Sequence, residues 1–209
     1  MRINEIEAGE KQSFRQDTSS GYNAPPEEHE IEQYKQLILA NCSDAVAAMK
    51  AAKNYCFRGI KGEHPYALHG KSRIDRRPTD TSEEISNLLD TGLLKSGFTA
   101  LRSNSIFCAS RAITASMYGK VYMIFPFDGF KCTYNIKYDD FFTDFVSEAN
   151  RDEMNNFKID TQSSSFADEH GFSDNFTQAL ASGHEIMITG EYYAFYRADF
   201  IHAFSTLFY

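Results

Sequence analysis

The sequence predicts an α+β domain, and three observations carry that expectation. Helical spacing comes first, from Glu27 to Met49, and apolar β-rich runs follow from Tyr55 onward. Helical segments interrupt those runs without a regular βαβ alternation, which argues against a parallel doubly wound sheet. Aromatic residues make up 14% of the chain, with 18 Phe, 12 Tyr and no Trp, a content suited to pleated, half-buried surfaces.

Residues 1–26 are polar, carry Thr18-Ser19-Ser20-Gly21 and Pro25-Pro26, and show no periodicity, so a flexible arm is expected there. Residues 27–209 are expected to form one domain, because 209 residues suffice for a single substantial core. Ile31, Tyr34 and Ile38 recur at helical spacing from Glu27 to about Leu39. A second helix follows Asn41, capped by Ser43 or Asp44, and leads to a strand over Tyr55–Ile60. The chain then reads as loop through Pro78, until Thr81 and Glu84 take the positions of a capping box. They open a helix through Leu88, Leu89 and Leu93.

Phe98–Leu101 reads as a short strand, followed by a turn and a strand ending at Ser110. Arg111–Tyr118 reads as a helix that Gly119 terminates. Val121–Phe127 and Phe130–Ile136 flank Asp128-Gly129, which predicts a hairpin, with Pro126 where its strand needs no donor. Tyr138–Phe157 is expected to be an amphipathic helix with Phe141, Phe142, Phe145 and Met154 inward. Asp160–His170 reads as loop, and a short helix capped by Ser173 runs to Leu180. Two strands follow, Glu185–Thr189 and Glu191–Tyr196, and the apolar tail Phe200–Tyr209 is expected to form a last one.

A formal net charge of −8 argues against general nucleic-acid binding, which needs a basic face to neutralise phosphates. Lys71, Arg73, Arg76 and Arg77 form a local exception and suit a clamp for a phosphate-bearing ligand. Cys42, Cys56, Cys108 and Cys132 lack zinc-ligand spacing, so no metal is expected and buried free thiols are. No apolar run reaches the ~20 residues of a membrane span, and the first residues lack a signal-peptide core. A cytoplasmic protein with no membrane partner is expected.

Three places invite a chemical reading. Glu185 opens an apolar strand, where an ionised carboxylate is costly to desolvate without a partner. Arg58 lies within an apolar strand and stays charged, and Gly59 beside it permits close approach to the backbone. Phe107 and Tyr118 bracket Ala109, Ser110, Ala112, Ala115 and Ser116, small residues that leave an aromatic-walled slot for a flat heterocycle.

Phe57-Arg58-Gly59-Ile60, Ser105-Ile106-Phe107-Cys108-Ala109-Ser110 with a helix ending in Tyr118, and His184-Glu185-Ile186-Met187-Ile188 stand in this order. Together they resemble the three signature regions of ADP-ribosyltransferases. The likeness covers about residues 54–197 and is a hybrid. Arg58 is similar to the first-region Arg of the cholera-toxin-like branch, while Phe107 and Tyr118 follow the aromatic spacing of the polymerase-like branch. The segment Arg102–Phe130 also resembles bacteriophage proteins, for which the compartment would be the host cytoplasm.

The resemblance implies two packed antiparallel or mixed sheets around an NAD cleft. It implies cleavage of NAD at the nicotinamide–ribose bond, with transfer of ADP-ribose to an acceptor, expected to be a protein, or to water. Glu185 would stabilise positive charge developing at the ribose, and Arg58 would orient ribose and diphosphate. Gly59 would grip the carboxamide, Phe107 and Tyr118 would line the ring, and Ser105 or Ser110 would supply a hydroxyl. Arg73 and Arg77 would add cations for the diphosphate. Glu191 competes with Glu185 for the carboxylate role. Gly183 stands where arginine-modifying members carry a Glu, which leaves the acceptor open. The rival readings are an NAD or ADP-ribose binder without transfer, a virion-associated structural protein, and a cysteine or serine hydrolase using Cys56 or Cys108 with His64, His69 or His184.

Overall fold

The computed structural model describes residues 12–13, 26–75, 82–141, 143–144, 149 and 151–207. Helix α1 (Glu28–Asn41) packs Tyr34 and Ile38 inward, and Glu30 reaches back to the Glu27 amide at 2.8 Å. Helix α2 (Ser43–Ala52) follows after Cys42 and ends at Lys53, which holds a left-handed φ of 51°. Its first turn draws its acceptor from far along the chain. The Asp44 amide donates to Asp128 Oδ1 at 2.8 Å, and the Ser43 hydroxyl to Oδ2 at 2.7 Å.

Among the described residues, nine strands form one sheet in which every pairing is antiparallel. They are β1 (Gln12–Ser13), β2 (Phe57–Ile60), β3 (Ala67–Lys71), β4 (Ile106–Ala109) and β5 (Lys120–Pro126), then β6 (Lys131–Asn135), β7 (Phe172–Ser173), β8 (Glu185–Thr189) and β9 (Glu191–Tyr196). Their order is β1-β3-β9-β5-β2-β4-β8-β6-β7. The expected pair of sheets is therefore one continuous sheet. The link between its halves is thin, because β2 and β4 share the single register pair Phe57↔Ala109.

The expected hairpin does not form: β5 pairs with β2 and β9, and β6 with β8 and β7. The turn itself is real, with Phe130 donating to the Phe127 carbonyl at 3.0 Å and Gly129 at φ 85°. Other partners claim the turn: Phe127 donates to the Glu191 carbonyl, Asp128 to that of Asn41, and the Asp128 carboxylate serves α2. Four antiparallel steps separate β5 from β6, so the two strands run in the same sense. In a flat sheet the end of β5 and the start of β6 would lie at opposite edges. A four-residue turn joins them only if the sheet coils, and twist of about 20–25° per strand accumulates in that direction. Pro126 sits beyond the last β2 register partner of β5, Met123, so its missing amide breaks no bond to β2.

Both faces of the sheet are covered. Ile106, Cys108, Ile186 and Ile188 enter a core with Ile38, Met49, Phe125 and Phe195. Phe107 and Met187 point the other way, toward Leu89, Leu93, Phe157 and Phe166. That second core is built by α3 (Glu83–Lys95), α5 (Arg151–Asp160) and α6 (Phe166–His170). Burial on both sides explains why β4 and β8 read as unbroken apolar runs.

Several expectations give way. Ala67–Lys71 is strand rather than loop, paired with β9 and with Gln12–Ser13. The rest of the expected arm, apart from Pro26, lies outside the described residues, as do Thr81, Phe142 and Phe145. Phe98–Leu101 is not a strand, although Ala100 is fully buried. Residues 138–140 precede any helix, α5 begins only at Arg151, and α6 replaces part of the loop expected to His170. Asn175, not Ser173, caps α7 (Phe176–Ser182), accepting the Gln178 amide at 3.0 Å. The tail is α8 (Arg197–Phe200) and a 3-10 turn, Ser205–Leu207. Phe200, Phe204 and Leu207 are buried at spacings of four and three, a helical period. No described helix is long and apolar enough to cross a membrane.

Candidate active site

A cleft opens where β2 and β4 part after their single register pair. Arg58 and Gly59 enter from β2, and Phe107, Cys108 and Ala109 from β4. Helix α4 (Ala112–Ser116) roofs it with Thr114 and Ala115, and Tyr118 follows just beyond. Gly183, Glu185, Asp139 and Asp140 complete the lining. Arg58, Gly59, Phe107, Tyr118 and Glu185, spread over more than half the sequence, therefore meet at one place.

Arg58 is 7% exposed, and its Nη1 donates to the Phe107 carbonyl at 3.2 Å. Once β2 diverges from β4, this guanidinium fills the place a strand amide would otherwise take. Its Nε is buried without a partner among the described residues. Gly59 is required for a reason the sequence reading did not give. A Cβ there would lie 2.0 Å from the Ala115 carbonyl oxygen and 2.8 Å from Tyr118 Cβ, so the glycine admits α4 rather than only a ligand.

Glu185 sits at the start of β8, where its amide donates to the Asp139 carbonyl at 2.7 Å. Its carboxylate lies 3.9 Å from Arg102 Nη1. His184 fastens the same corner, with Nδ1 2.7 Å from the Asn135 carbonyl and Nε2 3.1 Å from Asp139 Oδ1. Gly183 has φ 90°, and a Cβ on it would lie 2.6 Å from Arg111 Nε, so a guanidinium covers that position. Glu191 is placed elsewhere. It pairs with His69 at 3.0 Å and Lys71 at 3.6 Å on the β3–β9 ladder and does not line the cleft.

The remaining site residues are not brought in. Ser105 and Ser110 are buried at 1% and 2% exposure without lining the cleft. The Ser105 hydroxyl donates to Asn104 Oδ1, and the Ser110 carbonyl accepts from Asn54. Both serines flank β4 at its ends, where the neighbouring turn and α2 enclose them. Arg73 pairs with Asp75 at 3.3 Å away from the cleft, and Arg77 lies outside the described residues.

Residues the sequence reading did not single out are Arg102, Asp139, Asp140 and Thr114. Asp139-Asp140 stood inside an expected helix. Arg102 opened a turn among polar residues, with no pattern to tie it to Glu185. All four cysteines are free and buried, and of these Cys108 lines the cleft. Burial, and then the hydrogen bond with Cys108, push the Cys56 thiol well above its ordinary value. Burial also pushes Cys42 and Cys132 up to about 12, with nearby Asp128 and Asp174 adding to it respectively. No family model, curated protein or solved structure matches the chain.

Proposed function

We propose that the chain is an ADP-ribosyltransferase-like enzyme that cleaves NAD at the nicotinamide–ribose bond. One observation carries the reading. The Arg, the aromatic pair and the Glu of the three signature-like regions line a single cleft, although they come from β2, β4, the end of α4 and β8. The cleft suits the nicotinamide–ribose end of NAD. Phe107, Ala109, Ala115 and Tyr118 offer apolar surface for the ring, and Arg58 brings a buried donor with no partner.

In this reading the C–N glycosidic bond breaks and nicotinamide leaves neutral, taking the bonding electron pair. The acceptor forms the new bond to the same ribose carbon and gives up its proton. Glu185 stabilises the positive charge developing at that carbon, and Arg58 holds the anionic end of the substrate. The acceptor stays open among a protein side chain, nucleic acid, a small molecule and water, with a protein expected first. Arg111 over Gly183 puts a cation where guanidinium-modifying relatives place a carboxylate, which disfavours an arginine acceptor.

A second reading, binding of NAD or ADP-ribose without transfer, draws on Ser105 and Ser110, whose hydroxyls do not reach the cleft. Incubation with NAD labelled separately in nicotinamide and adenine distinguishes the two. Nicotinamide release supports the enzyme, while saturable binding without release supports the binder. Neither binding nor release would remove both.

A further inference from the structure

Glu185 stands on a wall between two cavities. It lines the cleft, and it also lines a smaller hollow with Arg102, Thr133, Asn135, Tyr138 and Met187. The alternation of the strands explains this. Phe107, Met187 and Thr133 occupy facing positions across β4, β8 and β6, and Glu185 lies two residues before Met187 on the same face.

Arg102 enters the hollow under several constraints. Its side chain is 6% exposed, and its guanidinium carbon lies 5.0 Å from the centre of the Phe107 ring. The turn that delivers it is fixed by Asp90, whose carboxylate accepts the Arg102 amide at 2.7 Å and the Ser103 amide at 3.1 Å. From there Nη1 comes within 3.9 Å of Glu185 Oε1, whose side chain is 21% exposed. That spacing is an ion pair near its outer limit, and the buried Thr133 hydroxyl, without a partner among the described residues, lines the same hollow. Arg58 holds the Phe107 carbonyl on the β2 side of β4.

We propose that Arg102 is the positioning residue of Glu185: fixed in the hollow on the same face of the sheet, it holds the carboxylate at the rim of the cleft and keeps it charged. The inference rests on the transferase reading only for its consequence in catalysis, since the pair itself is geometric. Among the described residues, the other charged and titratable groups around Glu185 include Arg58, Cys108, Tyr118 and Arg111 across the cleft, Tyr138, Asp139 and Asp140 after β6, and His184 just before its strand. Asp139 and Asp140 line the cleft with Glu185, so three carboxylates gather there and Arg102 brings a cation to the buried side of one.

The test is a carboxyl NMR titration of Glu185, assigned by its loss in Glu185→Gln, run on the full chain alongside nicotinamide release from NAD across pH. In Arg102→Met the Glu185 titration is expected to move to higher pH. The acid limb of NAD cleavage should move with it, lowering the rate about tenfold on the acid side. Arg102→Lys, which keeps the charge, is expected to restore most of both. Arg102→Gln gives the same readings without the charge if the Met variant collapses the hollow. A Glu185 titration that stays put in Met and Gln variants, with only thermal stability falling, overturns the proposal. A titration that shifts while wild type releases no nicotinamide at any pH supports the pair and removes the transferase reading alone.

Discussion

Arg58 Nη1 donates to the Phe107 carbonyl at 3.2 Å, bridging strands that share no register pair beyond Phe57↔Ala109. A buried side chain thus closes the sheet at the point where its backbone ladder opens into a cleft. The same guanidinium keeps its Nε buried without a partner among the described residues.

Arg58→Met is therefore expected to lower stability by about 1–3 kcal/mol, because the Phe107 carbonyl loses its donor in a buried site. NAD binding should fall in the same variant. Thermal unfolding and titration calorimetry check both; unchanged stability with lost binding would mean that the bridge carries no structural weight.

Gly59→Ala tests the packing of α4. Its new Cβ would lie 2.0 Å from the Ala115 carbonyl oxygen, which is backbone and has no side-chain freedom to yield. A loss of about 3 kcal/mol is expected, at the upper end for overpacking, together with displacement of Tyr118. Chemical denaturation reads the first and Tyr fluorescence the second. A variant as stable as wild type would contradict the packing.

Tyr118 is only partly buried, so Tyr118→Ala should change the melting temperature little. Loss of an aromatic wall is expected to weaken NAD binding about tenfold, in keeping with 1–3 kcal/mol for stacking on a base. Unchanged affinity would place the ring elsewhere.

Asp128 links the β5–β6 turn to α2, and this connection was hidden in the sequence. Burial acts to raise its carboxyl, but the Asp44 amide and the Ser43 hydroxyl outweigh it and hold the group below its ordinary 3.8. A depressed carboxylate contributes stability above its unfolded value and loses it as pH falls through the folded one. Asp128→Ala is expected to cost about 1 kcal/mol at pH 7, as for a lost helix cap. The gap in melting temperature should close as pH drops below 3.8. Equal stability at pH 7 would contradict the cap.

The sequence made much of the site legible because each residue broke a local rule: Arg58 and Glu185 put charge into apolar strands, and Gly59 interrupted one. What stayed hidden depended on distant partners. Asp128-Gly129 has the chemistry of a hairpin, yet Asn41, Ser43, Asp44 and Glu191 claim its groups and send the strands apart. Phe200, Phe204 and Leu207 were apolar enough for a strand, and only their spacing of four and three marked a helical turn. Arg102 left no trace because its link to Glu185 runs through the fold, 83 residues along the chain. Ser105 and Ser110 lay beside the right strand, but neither lines the cleft.

The most direct test of the account is nicotinamide release from NAD by wild type and Glu185→Gln, measured beside NAD binding. The account predicts release by wild type, a loss of about 100- to 1,000-fold in Glu185→Gln and retained binding in both. Full release by Glu185→Gln would contradict it.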